Sequence, residues 1–165
     1  MPISSAGKAS NLRGVTLIEM LVVVAIIALV SAVALPSVAT GIDSVRLRTA
    51  SDSIAGFLNA AVNRAERLQQ AVVVVISPSD NSLTLYSSEK GFTRELHMPG
   101  GVTIEKVLAS SSGSGDEAGF RLVLLPGATI PAIGVQIANS HGSRRLIHLD
   151  PMTGFPHVDS VGKEE

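Results

Sequence analysis

The chain turns on Arg13-Gly14-Val15-Thr16-Leu17-Ile18-Glu19 and on the apolar run behind it, Met20-Leu21-Val22-Val23-Val24-Ala25-Ile26-Ile27-Ala28-Leu29-Val30, which continues through Ser31 to Leu35. No charged residue occurs from Met20 to Ile42. A run of about 20 apolar residues is long enough to cross a bilayer as a helix, because a helix satisfies its own backbone hydrogen bonds where water is absent. Lys8 and Arg13 precede the run and no acid does before Glu19, so the N-terminal end is expected on the cytoplasmic side. Glu19 does not suit a passive anchor. A carboxylate in hydrocarbon costs on the order of several kcal/mol unless it is protonated or paired, so it calls for a partner.

Gly14 followed by Val15-Thr16-Leu17-Ile18-Glu19 resembles the prepilin signal of type IV pilins and type II secretion pseudopilins. The resemblance implies cleavage between Gly14 and Val15 by a prepilin peptidase, followed by N-methylation of Val15. Glu19 is the fifth residue after Gly14, where that family carries its glutamate. Pro36 is the twenty-second, where many members carry a helix-breaking proline. The departure is Val15 itself, where the family usually has phenylalanine.

Cleavage would create a positive α-amine on Val15 at the same apolar depth as Glu19. In a filament, the Glu19 carboxylate of one subunit is then expected to pair with the Val15 amine of its neighbour, since a buried charge left unpaired is costly. The bland alternative is a membrane-edge glutamate that snorkels or is protonated. Two rival readings fit parts of the stretch. In an ordinary secretory signal, Ala32-Val33-Ala34 would be the cleavage site and would release a soluble protein starting at Leu35. The other rival is a passive single-pass anchor.

The 165 residues allow one domain beyond the N-terminal segment. Without Lys8 and Arg13 the 13 basic residues become 11 against 14 acidic ones, a net charge near −3, which is no general polyanion-binding signature. Cysteine is absent, so stability in an oxidising periplasm would rest on the core. The few aromatics are Phe57, Tyr86, Phe92, Phe120 and Phe155, which supply stacking platforms poorly.

Residues 1–14 are expected to form an unfolded leader, and a long helix to run from about Val15 to Gln70. Its first part, 15–40, is apolar all round. Pro36 lacks an amide hydrogen, so a kink or local melting is expected near Ala32–Pro36, and Gly41 adds a second soft point. Its second part, 41–70, is amphipathic: Ile42, Val45, Ala50, Ile54, Phe57, Leu58, Ala61, Ala65 and Leu68 recur at spacings of three and four. From Ala71 the period becomes two. Strands are expected at 71–77, 82–87, 92–97, 102–107, 120–125, 134–138, 144–149 and 155–158, with turns at Pro78–Asn81 and Asp150–Gly154 and a flexible loop at 109–119. The fold class is therefore α+β: a long N-terminal helix, half membrane-embedded and half amphipathic, packed on an antiparallel β-sheet head at 71–165.

One long helix followed only by β-hairpins, closing in a strand–Asp-Pro-x-Thr-Gly–strand hairpin, resembles the GspH/FimT family of minor pseudopilins and minor type IV pilins. The resemblance is sharp over residues 13–36 and architectural over 71–158.

Enzyme chemistry is not expected. His97, His141, His148 and His157 are scattered, with no metal-ligand spacing. No serine sits in a nucleophile elbow, and there is no phosphate-binding loop. No cofactor is implied. FimT-like proteins are implicated in DNA uptake through C-terminal arginines, and the candidates here are Arg144 and Arg145. Neighbouring strand residues point to opposite faces, so at most one would face a groove, and the tail from Val158 to Glu165 is acidic. Nucleic acid is thus an unfavoured partner. The resemblance implies a structural subunit: first, a minor pseudopilin of a type II secretion pseudopilus; alternatively, a FimT-like minor pilin; last, an exported or anchored β-domain. The implied partners are the prepilin peptidase/N-methyltransferase, other pilins or pseudopilins, the inner membrane and secreted substrate proteins.

Overall fold

The computed structural model describes residues 15–87, 91–109 and 119–162, with the backbone alone for residues 33–39. Thr16 begins the helix. Its Oγ1 accepts the Glu19 amide hydrogen at 3.3 Å and its carbonyl accepts the Met20 amide at 3.2 Å. Threonine with glutamate three residues on is the sequence signature of a capped helix start. Helix α1 then runs Leu17–Leu68. It ends at Gln69, whose φ of 52° is left-handed, with Gln70 N–H donating back to the Ala65 carbonyl at 3.3 Å. That six-residue closure is a Schellman turn built without glycine. These two caps place the helix ends inside the expected 15–70. The backbone stays helical through Pro36, so the melting expected there does not occur.

The chain divides into two compact units at Ala39/Thr40. In the first, described from Val15, the side chains stand outward: Leu17 is 83% exposed and Leu29 is 73% exposed. In the second, the amphipathic part of α1 buries Leu47, Ala50, Ile54, Phe57, Leu58, Ala61 and Ala65, one stripe at helical spacing. Each large apolar side chain so buried contributes about 1.5–3 kcal/mol of transfer free energy.

Eight strands follow among the described residues: β1 Val72–Ser77, β2 Ser82–Ser87, β3 Thr93–His97, β4 Val102–Ala109, β5 Phe120–Leu124, β6 Ile133–Asn139, β7 Arg144–Leu149 and β8 Pro156–Val161. They form two four-stranded sheets, not one. The first has the order β3-β2-β1-β5 and the second β4-β6-β7-β8, with every pairing antiparallel. After the turn at Pro99–Gly101 the chain leaves the first sheet, and β5 later returns to pair with β1, Val74 facing Leu122. Both inner faces feed one core with α1. Val72, Val74, Ile76, Leu83, Leu85, Leu122 and Leu124 come from the first sheet; Val102, Ile104, Val135, Ile137, Ile147 and Leu149 come from the second.

Asn81 joins the sheets. At φ 53° its side-chain amide donates to the Val102 carbonyl at 2.8 Å, and its Oδ1 accepts the Ile104 amide at 2.9 Å. The β1–β2 turn thus borrows the polar groups at the start of β4. Of the expected loop 109–119, residues 110–118 lie outside the described residues, as do residues 1–14 of the expected leader.

Candidate functional site

At the N-terminal end, Val15 is 66% exposed, and Glu19 lies in the first turn of α1 with its side chain exposed. Gly14 lies outside the described residues, and at Pro36 only the helical backbone is described. From Leu17 to Val30 every large apolar side chain points outward on all sides of the helix, where a soluble surface would carry charge. An apolar surface this continuous requires lipid or protein around it. Among the described residues no helix is long and apolar enough to cross a membrane.

Arg144 and Arg145 open β7. Arg144 Nε lies 2.9 Å from Glu105 Oε2, and Gln136 Nε2 donates to the same oxygen at 2.7 Å. Glu105 is the extra residue where the β4–β6 register slips between Ile104 and Lys106, so a β-bulge aims its carboxylate across the sheet. The Gln136 hydrogen bond, and after it the Arg144 guanidinium, hold that carboxyl below its ordinary pKa. Arg145 lies on the strand face of Ile147 and Leu149. Both arginines border one shallow depression with Ser44, Leu47 and Ser160. They alternate in direction as expected, yet share a rim because they sit at the open end of the strand.

The histidines are not all scattered, contrary to expectation. His148 and His157 face each other across β7 and β8, with rings 5.6 Å apart and 26° from parallel. Asp159 Oδ2 is 3.4 Å from His148, and Asp150 Oδ2 is 4.0 Å from His157. The hairpin register makes this pair, which separations along the chain do not reveal. Among the described residues no group of three or more His, Cys, Asp or Glu is arranged to hold a metal.

The Asp150–Gly154 turn closes that hairpin. Asp150 Oδ1 accepts the Met152 amide at 2.7 Å and the Thr153 amide at 3.4 Å, and these bonds keep its carboxyl below the ordinary pKa, the Met152 bond most. On the helix, Asp43 takes Ser140 Oγ at 3.0 Å and His141 Nδ1 at 3.0 Å, fixing the β6–β7 turn to α1.

The family described as Prokaryotic N-terminal methylation motif matches residues 10–35 of this chain. Among solved structures, the minor pseudopilin EpsH from the Type 2 Secretion System of Vibrio cholerae is similar, with a TM-score of 0.53. The two share 12% identity, and the match covers 72% of this chain and 99% of that one. At that identity the likeness is one of fold. No curated protein matches the chain in sequence.

Proposed function

On the premise that motif and fold together make the chain a member of the type IV pilin and pseudopilin superfamily, a structural subunit and not an enzyme, we propose that it is a minor pseudopilin of a type II secretion system. The observation that carries this reading is the pairing of an N-terminal methylation motif at residues 10–35 with the fold of a minor pseudopilin.

In this reading the prepilin peptidase cuts between Gly14 and Val15 and methylates Val15. The helix through residues 15–40 then holds the subunit in the inner membrane with its head in the periplasm. The uncharged run from Met20 to Ile42 supports that role. On assembly the same apolar surface leaves lipid for the filament core, where packing against neighbouring helices replaces acyl chains. Glu19 of an incoming subunit meets the Val15 amine of its neighbour, and the pairing of two charges in an apolar setting sets the stagger. The helical backbone at Pro36 lacks one rung of its hydrogen-bond ladder, so it is the place where the helix yields during packing.

The second reading, a FimT-like minor pilin that contacts DNA, draws on Arg144 and Arg145 at one rim. Glu105 weighs against it, because it already neutralises Arg144. The test is co-purification of the tagged full-length chain, before and after Glu19→Ala, together with retention on double-stranded DNA. Recovery of other pseudopilins with the native chain but not with Glu19→Ala supports the proposal. Recovery of none with either chain, or DNA retention that needs Arg144 and Arg145, rejects it.

A further inference from the structure

Between the C-terminal part of α1 and the edge strand β3 lies a groove of about 270 Å³. Leu68, Leu85 and Phe92 floor it, and Arg64, Arg67 and Arg94 rim it. The three arginines come from distant parts of the chain. Arg64 and Arg67 are three residues apart on one helix face, and Arg94 stands opposite Leu85 on β3, on the side of the sheet that faces α1. The Arg64 guanidinium lies 3.4 Å from the centre of the Phe92 ring, and that of Arg94 lies 5.9 Å from the centre of Phe57. These contacts hold two of the guanidinium groups in place over apolar surface. No acidic residue is among the described residues that line the groove.

We propose that this groove docks an acidic peptide segment of a partner protein, seating one aliphatic side chain on Leu68, Leu85 and Phe92 while flanking carboxylates meet Arg67 and Arg94. Arg67 and Arg94 bring two like charges to one apolar floor, and an anion between them relieves their repulsion. Guanidinium forks suit carboxylates in two-point contact. A nucleic acid suits the groove less well. Among the described residues that line it Phe92 is the one ring, and Arg64 lies over one of its faces, which leaves room for an aliphatic contact at the ring but no open platform on which successive bases would stack. The volume takes a single leucine-sized side chain rather than a track of phosphates. None of this depends on the secretion assignment, since the groove belongs to the folded head.

The test is fluorescence anisotropy on the full-length chain in detergent. The probe is a fluorescein-labelled peptide with one leucine flanked on each side by two glutamates. Saturable binding that weakens as salt rises is expected. The double substitution Arg67→Gln and Arg94→Gln, at two exposed positions, should weaken it by about tenfold or more. The same loss should follow when the glutamates of the peptide become glutamine, a change that leaves the protein untouched. Replacing the leucine of the peptide by glycine should weaken binding by about fivefold. Absence of saturable binding, or equal binding by the glutamine peptide, overturns the proposal. Displacement of the peptide by a single-stranded oligonucleotide at lower concentration, with the same dependence on Arg67 and Arg94, overturns it in favour of nucleic acid.

Discussion

Arg144 Nε and Glu105 Oε2 lie 2.9 Å apart, joining β7 to the bulge in β4 across the intervening strand β6. The carboxylate is held below its ordinary pKa, first by Gln136 and then by Arg144. A depressed carboxyl stabilises the fold at pH values above its unfolded pKa, here ordinarily 4.5, and the contribution is lost as pH falls through the lower folded value. Both partners are about a third exposed, so the pair is worth about 0.5 kcal/mol after solvent screening. Thermal melts of native chain and Glu105→Gln should therefore differ slightly and constantly from pH 6 to 8, about the range where carboxylates stay ionised, and converge below about pH 4. A gap that widens on acidification would count against this assignment.

The same ion pair bears on nucleic acid. With Arg144 neutralised by Glu105, removing both arginines as Arg144→Ala and Arg145→Ala should leave retention on DNA and its salt dependence unchanged. Loss of about two units of salt slope, roughly one per phosphate contact, would show that both arginines bind phosphate.

Gly154 combines two demands. Its φ is 73°, and a Cβ there would run into Ile130 Cδ1 and come within 3.3 Å of Val62 Cγ1. Gly142, at φ 77°, faces open space. Gly142→Ala should cost about 1 kcal/mol, the left-handed conformation alone. Gly154→Ala should cost about 1 kcal/mol more than that, because the end of the Ile130 side chain must swing aside and Val62 must give slightly. Urea denaturation of the two variants separates the terms, and equal losses would contradict the packing account.

Asn81 carries the link between sheets through two hydrogen bonds and a left-handed backbone. Asn81→Ala should destabilise the head by about 3 kcal/mol, roughly 1 for each bond and 1 for the backbone. Asn81→Gly should recover only the backbone part. Full recovery with glycine would mean the bonds to Val102 and Ile104 contribute nothing net.

Local chemistry was legible in the sequence and long-range pairing was not. The change of period at Ala71 marked where helix gives way to strand, because alternation and helical spacing are different faces of the same apolar pattern. The Asp150–Gly154 turn was legible because aspartate and glycine carry turn chemistry within five residues. The split into two sheets was not, since β5 returns to β1 over dozens of residues and nothing local specifies Val74 against Leu122. The His148–His157 pair and the Arg64–Arg67–Arg94 rim were missed for the same reason. Each is made by register or by packing of separate elements. The cap at Thr16 was legible from Thr16 and Glu19 alone, because a threonine with glutamate three residues on is a local helix-start signal.

Glu19 therefore has a local role in the first turn of α1 and a proposed role in assembly. Glu19→Ala should leave processing at Gly14 intact and abolish incorporation into filaments, while Glu19→Asp, which keeps the charge, should incorporate in part. Cross-linking to neighbouring pseudopilins in intact cells reads incorporation of both variants, and the mass of each reads its processing. Normal incorporation of the alanine variant would remove the charge-pairing account.

Every role proposed for the N-terminal helix depends on entry of this chain into the prepilin pathway. The most direct test of that entry is the intact mass and N-terminal sequence of the protein from membranes of cells with and without a prepilin peptidase. The account predicts a peptidase-dependent start at Val15 carrying one added methyl group. An uncut Met1 in both strains, or a soluble product starting at Leu35, would contradict it.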